Sequence, residues 1–183
     1  MKLYTKRGDN GTTALLGGGS VLKSSPKIES YGNIDELNSW IGNIRDGSEL
    51  ETDVLLKVQK KLFIIGSWLS LNSRNDAYTY KLTPITSTDI EELEHHIDKM
   101  TEAVPPLTNF ILPGGHDLVS KIHIARTVCR RAERGVVAIY AEEELYETIM
   151  IYLNRLSDYL FALARYTAHH LNVGEILWSG KDS

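Results

Sequence analysis

Residues 117–137, DLVSKIHIARTVCRRAERGVV, place Leu118, Ile122, Ala125, Cys129, Ala132 and Val136 at intervals of three and four. That spacing lines one side of an α-helix with apolar groups, so the stretch predicts a helix whose stripe is buried against neighbours. The same helix carries Arg126, Arg130 and Arg134 four residues apart, with Glu133 beside them and Arg131 further round. At 100° per residue the three fan over only about 80° and form one positive stripe flanking the apolar face. A solvated surface is one reading of such a stripe. An anion site is the other: like charges stacked four apart repel unless carboxylates or a bound anion compensate, and arginine suits multidentate contact with phosphate.

Working outward toward the C-terminus, Leu145, Ile149, Leu153, Leu156, Leu160 and Leu163 predict a further helix. Asn154 and Asp158 stand four apart on it, with Arg155 and Ser157 between. They are hydrogen-bonding groups of a bundle interior or interface, or a polar pair that holds a nucleotide and its Mg²⁺. Toward the N-terminus, Thr88 with Glu91 makes a capping-box pattern opening a helix along Ile90, Leu93, Ile97 and Met100, which Pro105 and Pro106 end. Residues 72–86 are polar, contain Pro84 and read as a loop. Val54, Leu55, Val58, Leu62, Ile65 and Leu69 form one more amphipathic stripe, and Ile28, Tyr31, Ile34, Leu37, Ile41 and Ile44 another.

Five helices, two of them of about 25 residues or ~38 Å, with no alternating strand pattern, predict an all-α up-and-down bundle over residues 26–183 in a single domain, 1–183. Residues 1–25 do not fit that scheme. Thr5, Lys6, Arg7, Gly8, Asp9, Asn10, Gly11, Thr12 and Thr13, then Gly17, Gly18, Gly19 and Lys23, have the composition of a phosphate cradle. Glycines admit backbone N–H groups close to an anion, threonines add donors and lysines add charge. The spacing of a Walker A loop is missing, and a flexible arm with a short strand is the competing reading.

Composition narrows the classes. The chain has 183 residues, 42% of them hydrophobic and 24% charged, as in ordinary folded domains. A net charge of −4 argues against a nucleic-acid partner, so any bound anion must meet a local positive cluster. The most apolar stretch, residues 62–71, is broken by Gly66, Ser67 and Ser70 and is too short to span a membrane, and the polar N-terminus carries no secretion signal. A cytoplasmic protein is expected. Cys129 is the one cysteine, which excludes an intrachain disulfide and reads as a buried apolar group. A di-iron carboxylate bundle needs two Glu-x-x-His pairs; Glu92 with His95 makes one and the second is missing. No dedicated metal ligands are predicted. His95 and His96 are expected to be exposed, with His169 and His170 near the end of the last helix.

Four stretches resemble signature blocks of the PduO-type ATP:cob(I)alamin adenosyltransferases, in order: TKRGDNGTTALLGGG from residue 5, YGNIDELNSWIG from 31, FILPGGHDLVSKIHIARTVCRRAERGVV from 110 and YLNRLSDYLFALARY from 152. The resemblance covers well over half the chain, and CRRAER with LNRLSDYLF is a specific combination. It implies a five-helix bundle, ferritin-like in general architecture, assembled as a homotrimer with each active site between two subunits. Residues 1–25 would form the ATP loop, with Thr5, Lys6, Arg7, Gly8, Thr13, Ala14 and Lys23 around the nucleotide. Arg130, Glu133, Arg134 and Asn154 would complete the site. Asp35 matches an aspartate that pairs with Arg130 across the interface, and Phe110 an aromatic that packs against the lower face of the corrin. The implied reaction moves the 5′-deoxyadenosyl group of ATP, with Mg²⁺, to the cobalt of cob(I)alamin, releasing triphosphate. The cofactor brings its own nucleophile, in keeping with the absence of a persuasive Ser-His-Asp triad. A flavoprotein or other Co(II) reductase is an implied partner. Arg7 stands where the family has a smaller residue, and Ser20, Ser24 and Ser25 replace more charged ones. The competing class is a helical bundle that binds nucleotide without turning it over.

Overall fold

The computed structural model describes residues 2, 4, 6–140 and 144–179. Their helices are α1 (Pro26–Asp46), α2 (Thr52–Leu69), α3 (Arg74–Thr79), α4 (Ser87–Glu102), α5 (Asp117–Tyr140) and α6 (Glu144–His170). Four short strands accompany them, β1 (Thr12–Ala14), β2 (Ser20–Leu22), β3 (Ile111–Leu112) and β4 (Ile176–Leu177), paired antiparallel as β1 with β2 and β3 with β4. The chain is an all-α bundle with six helices rather than five among the described residues, because α3 forms inside the polar stretch read as a loop. The strands, of two or three residues each, are too short for alternation to betray them.

α1 begins where Ser25 caps it: the side-chain oxygen accepts from the Ile28 N–H, and Pro26 occupies the first turn, where its missing N–H costs nothing. α4 is capped two residues earlier than the sequence suggested. Thr86 and Asp89, not Thr88 and Glu91, make the reciprocal capping box, and the Asp89 carboxylate accepts from the Thr86 N–H at 2.9 Å. Thr86 has the extended backbone a cap requires, whereas Thr88 is already inside the first turn.

α1 packs against α2 and α5, α5 against α6, and α6 against α4. The ring closes through ion pairs between α2 and α4, Lys57 to Glu92 at 2.5 Å and Lys61 to Asp89 at 2.6 Å. The apolar stripes of α2, α5 and α6 meet inside it: Leu55, Leu62, Ile65, Ile122, Ala125, Cys129, Leu153, Leu156 and Leu160 are inaccessible or nearly so. Each such aliphatic side chain contributes about 1.5–3 kcal/mol on leaving water. The side chain of Leu145 lies outside the described residues. α1 departs from its predicted stripe at one end, where Ile28 is half-buried and Tyr31 exposed, because they face a cavity rather than the core. His95 is exposed as expected, but His96 is not: its Nδ1 lies 2.6 Å from the Glu51 carboxylate, and that contact covers it. His169 and His170 are exposed in the last turn of α6.

Candidate active site

The N-terminal segment is a structured hairpin docked on the end of α2. Leu16 N–H donates to the Ser70 carbonyl at 2.9 Å and Asn72 N–H to the Leu16 carbonyl at 2.8 Å. Lys27 Nζ donates to the Leu71 carbonyl beneath it. Gly17, Gly18 and Gly19 all have positive φ. A side chain on Gly17 would collide with the Asp76 carboxylate and one on Gly19 with the Asn72 amide. These glycines therefore fit the hairpin against the start of α3, and Gly17 faces a carboxylate rather than open space for a phosphate. The earlier half of the segment carries more of its charge. Lys6 adopts the left-handed conformation, with φ 61°, and the Lys23 ammonium extends over Gly8, 3.1 Å from where a β-carbon would stand. Lys6, Arg7 and Lys23 are exposed. Thr5 lies outside the described residues.

Thr13 and Ala14 line a cavity of about 490 Å³ together with Tyr31 and Asp35 of α1 and Phe63 and Ser67 of α2. A second cavity, of about 390 Å³, has Phe110, His123, Arg126, Arg130, Asp158 and Phe161 in its walls. The two have no lining residue in common. Phe110 is 76% exposed, just ahead of β3, its ring 6.2 Å from that of Trp178. Beyond the second cavity along α5 and α6, Asn154 Nδ2 donates to Glu133 Oε1 at 3.1 Å.

The arginines do not behave alike. Arg130 and Arg134 are exposed, and like Asp35 they have no ion-pair partner among the described residues. Arg131 is turned toward α1, where Nε donates to Asn33 Oδ1 at 2.9 Å and Nη2 to Glu36. Arg126 is half-buried with its guanidinium 5.9 Å from the centre of the Phe161 ring, and burial, then Arg130, lowers its pKa. Asp158 is shared between roles: it accepts from Arg155 at 3.3 Å and lines the second cavity.

Sequence reasoning picked out Phe110, Arg126, Arg130 and Asp158 of that wall but missed His123. His123 is 4% exposed, its ring 6.2 Å from Phe161, and burial, then the neighbouring Arg126, pushes its pKa down to about 4 against a smaller opposing pull from Glu175. The spacing of His123 and Arg126, three apart on one helix, was the only available signal. Buried Arg165, paired with Glu175 at 2.8 Å and donating to the Pro105 carbonyl, was missed as well; it holds the segments leading into β3 and β4. Among the described residues no three His, Cys, Asp or Glu side chains group to hold a metal, and Glu92 of the single Glu-x-x-His pair bonds Lys57. No helix among them is long and apolar enough to cross a membrane.

The family model for cobalamin adenosyltransferase matches residues 3–167. The corrinoid adenosyltransferase of Bacillus subtilis is 48% identical, over 96% of this chain and 91% of that protein. The human corrinoid adenosyltransferase is 42% identical, over 91% of this chain and 69% of that protein. Among solved structures, a PduO-type ATP:corrinoid adenosyltransferase from Lactobacillus reuteri, a phenylalanine-to-alanine variant complexed with cobalamin and ATP, superposes with a TM-score of 0.88 at 36% identity, covering 97% of this chain and 99% of that one. The chain belongs to the PduO-type corrinoid adenosyltransferase family. It is an enzyme of the transferase class that moves the adenosyl group of ATP to cobalamin.

Proposed function

We propose that each active site is built from two subunits of a homotrimer. Lys6, Arg7, Gly8, Thr13, Ala14 and Lys23, with Thr5, hold ATP from one side; Arg130, Glu133, Arg134 and Asn154 of the partner subunit close it from the other. The observation that carries this reading is the division of the assigned residues between two cavities, Thr13, Ala14 and Asp35 in one and Phe110 and Arg130 in the other. One chain does not bring them together, and Asp35 and Arg130 each lack an ion-pair partner among the described residues. Pairing Asp35 with Arg130 of the partner subunit satisfies both charges and joins the halves.

In the reaction the cobalt of cob(I)alamin, the substrate, attacks C5′ of ATP; a Co–C bond forms, the C5′–O bond breaks, and its electron pair leaves on triphosphate. Arg134 and Lys6 place positive charge where the triphosphate gains it, which is the costliest point of the displacement. Glu133 and Asn154 offer the hard oxygens that suit Mg²⁺, which neutralises phosphate charge when bound. Phe110 covers the lower face of the corrin with an apolar ring, excludes an axial ligand there and eases reduction of Co(II) by a flavoprotein or other reductase. Residues 1–25 then form the ATP loop of a single bundle domain, and the enzyme works in the cytoplasm.

The shared site is tested with two lesions in one assembly. Lys6→Ala and Arg134→Ala homotrimers should each be nearly inactive. Co-expressed in equal amounts they form mixed trimers in which about a quarter of the interfaces join an intact loop to an intact arginine, and activity should recover toward that fraction. Mixed trimers proven by native mass spectrometry yet no more active than either parent would exclude the arrangement.

A further inference from the structure

Phe110 stands between α4 and α5, at the end of a ladder of only two residue pairs, Ile111 opposite Leu177 and Leu112 opposite Ile176. A ladder that short is not stable by itself and takes its place from something rigid. The Trp178 N–H donates to the Phe110 carbonyl at 2.8 Å and the two rings lie 6.2 Å apart, so Phe110 follows β4 wherever it is held. One side chain of the bundle holds both halves of the ladder. Arg165 on α6 is 7% exposed, and its Nε and Nη2 donate to the two Glu175 carboxylate oxygens at 2.8 and 3.2 Å. The same Nη2 donates to the Pro105 carbonyl at 2.8 Å. Glu175 immediately precedes β4, and Pro105 opens the segment that runs to Phe110, where its ring and that of Pro106 restrict the backbone. All of these contacts lie within one subunit, and none depends on what the neighbouring subunit covers. A buried ion pair adds little net stability over apolar groups of equal volume, because both charges leave water, but its fork fixes direction. The pair is therefore better explained by what it orients than by what it stabilises.

We propose that Arg165 is a positioning residue for Phe110: by clamping Glu175 and the Pro105 carbonyl to α6, it sets where the Phe110 ring meets the lower face of the corrin. The proposal rests on the reading of Phe110 as the cover of that face.

The test compares Arg165→Met, Glu175→Ala and Phe110→Ala, alone and combined, each checked for folding by circular dichroism. With ATP, Mg²⁺ and cob(II)alamin bound, electron paramagnetic resonance reports the share of cobalt left without an axial ligand. Arg165→Met and Glu175→Ala should both lower that share, as Phe110→Ala does, and lower kcat by about 10–10²-fold, the scale on which an ångström of misplacement acts. The KM for ATP should hold, since neither residue belongs to the nucleotide site. In the Phe110→Ala background the Arg165 and Glu175 lesions should lower the remaining kcat by less than about twofold, because no ring is left to place. Glu175→Ala breaks the pair from outside the helices and carries the comparison if Arg165→Met does not fold. A wild-type share of unligated cobalt in a folded variant overturns the proposal. So does an equal fall in kcat with and without the Phe110 ring, which would make the clamp purely structural. If Phe110→Ala itself leaves the share unchanged, the reading of Phe110 falls and the proposal with it.

Discussion

Arg134 stands on α5 with its guanidinium exposed and no carboxylate against it among the described residues. Its removal therefore disturbs little of the fold, since exposed positions without partners change stability by about 0.5 kcal/mol or less. On the proposed assignment its cost falls on the reaction. Losing one preorganised donor to a developing anion lowers turnover by about 10²–10³-fold, so Arg134→Ala should drop kcat by that factor while its thermal unfolding midpoint stays put. Steady-state kinetics beside a melting curve check both halves, and near-normal turnover would remove Arg134 from the triphosphate site. At this scale the sequence was partly legible. Arg130, Arg134 and Phe110 could be picked out because charge spacing and a motif mark them. Arg126 was placed with the same stripe, and nothing local said otherwise: its partner Phe161 belongs to another helix, and only packing brings the two together. His123 shows the same limit, because its burial beside Phe161 comes from the packing of one helix on another.

One carboxylate serves helix α4 twice. Asp89 closes the cap with Thr86 and also meets Lys61 of α2 at 2.6 Å, its side chain 13% exposed. Burial alone would raise its pKa, but the Lys61 and Thr86 donors outweigh that and hold it below the usual carboxylate value. Asp89→Ala should cost about 1–3 kcal/mol, combining a lost cap with a stranded lysine. For a chain of this size that lowers Tm by roughly 2–12 °C. A carboxylate with a depressed folded pKa stabilises above its unfolded value of about 3.9 and loses that contribution as pH falls through the folded one. The gap between wild type and variant should thus be full at pH 7 and narrow below about pH 4, as paired thermal scans would show. The helices with long apolar stripes were readable because each turn repeats the same message. α3 was not, since its six residues are held by a cap and by tertiary contact rather than by a stripe. The cap of α4 was misplaced because two threonines each precede an acidic residue by three, and only backbone geometry selects between them.

At the scale of the whole molecule, the proposed division of the site between subunits would tie catalysis to assembly. Specific activity should fall when the enzyme is diluted into the range where subunits separate, and the midpoint of that fall should coincide with the dissociation seen by analytical ultracentrifugation. An activity per chain that stays constant across that range would place the whole site within one subunit. The ring of helices was legible from periodicity, but the ring says nothing of where the N-terminal segment docks. That is decided by Leu16 against Leu71, by Gly17 against Asp76 and by Gly19 against Asn72. These contacts carry a consequence for the order of folding. The groups that hold the hairpin exist as a surface only once α2 has ended and α3 has turned, so the hairpin is set late, after the helices have found one another. It is also released first. Opening it breaks a few exposed hydrogen bonds and uncovers little of the core, so amide protons of β1 and β2 exchange through a low-energy local opening while those of α5 and α6 wait for the bundle to come apart.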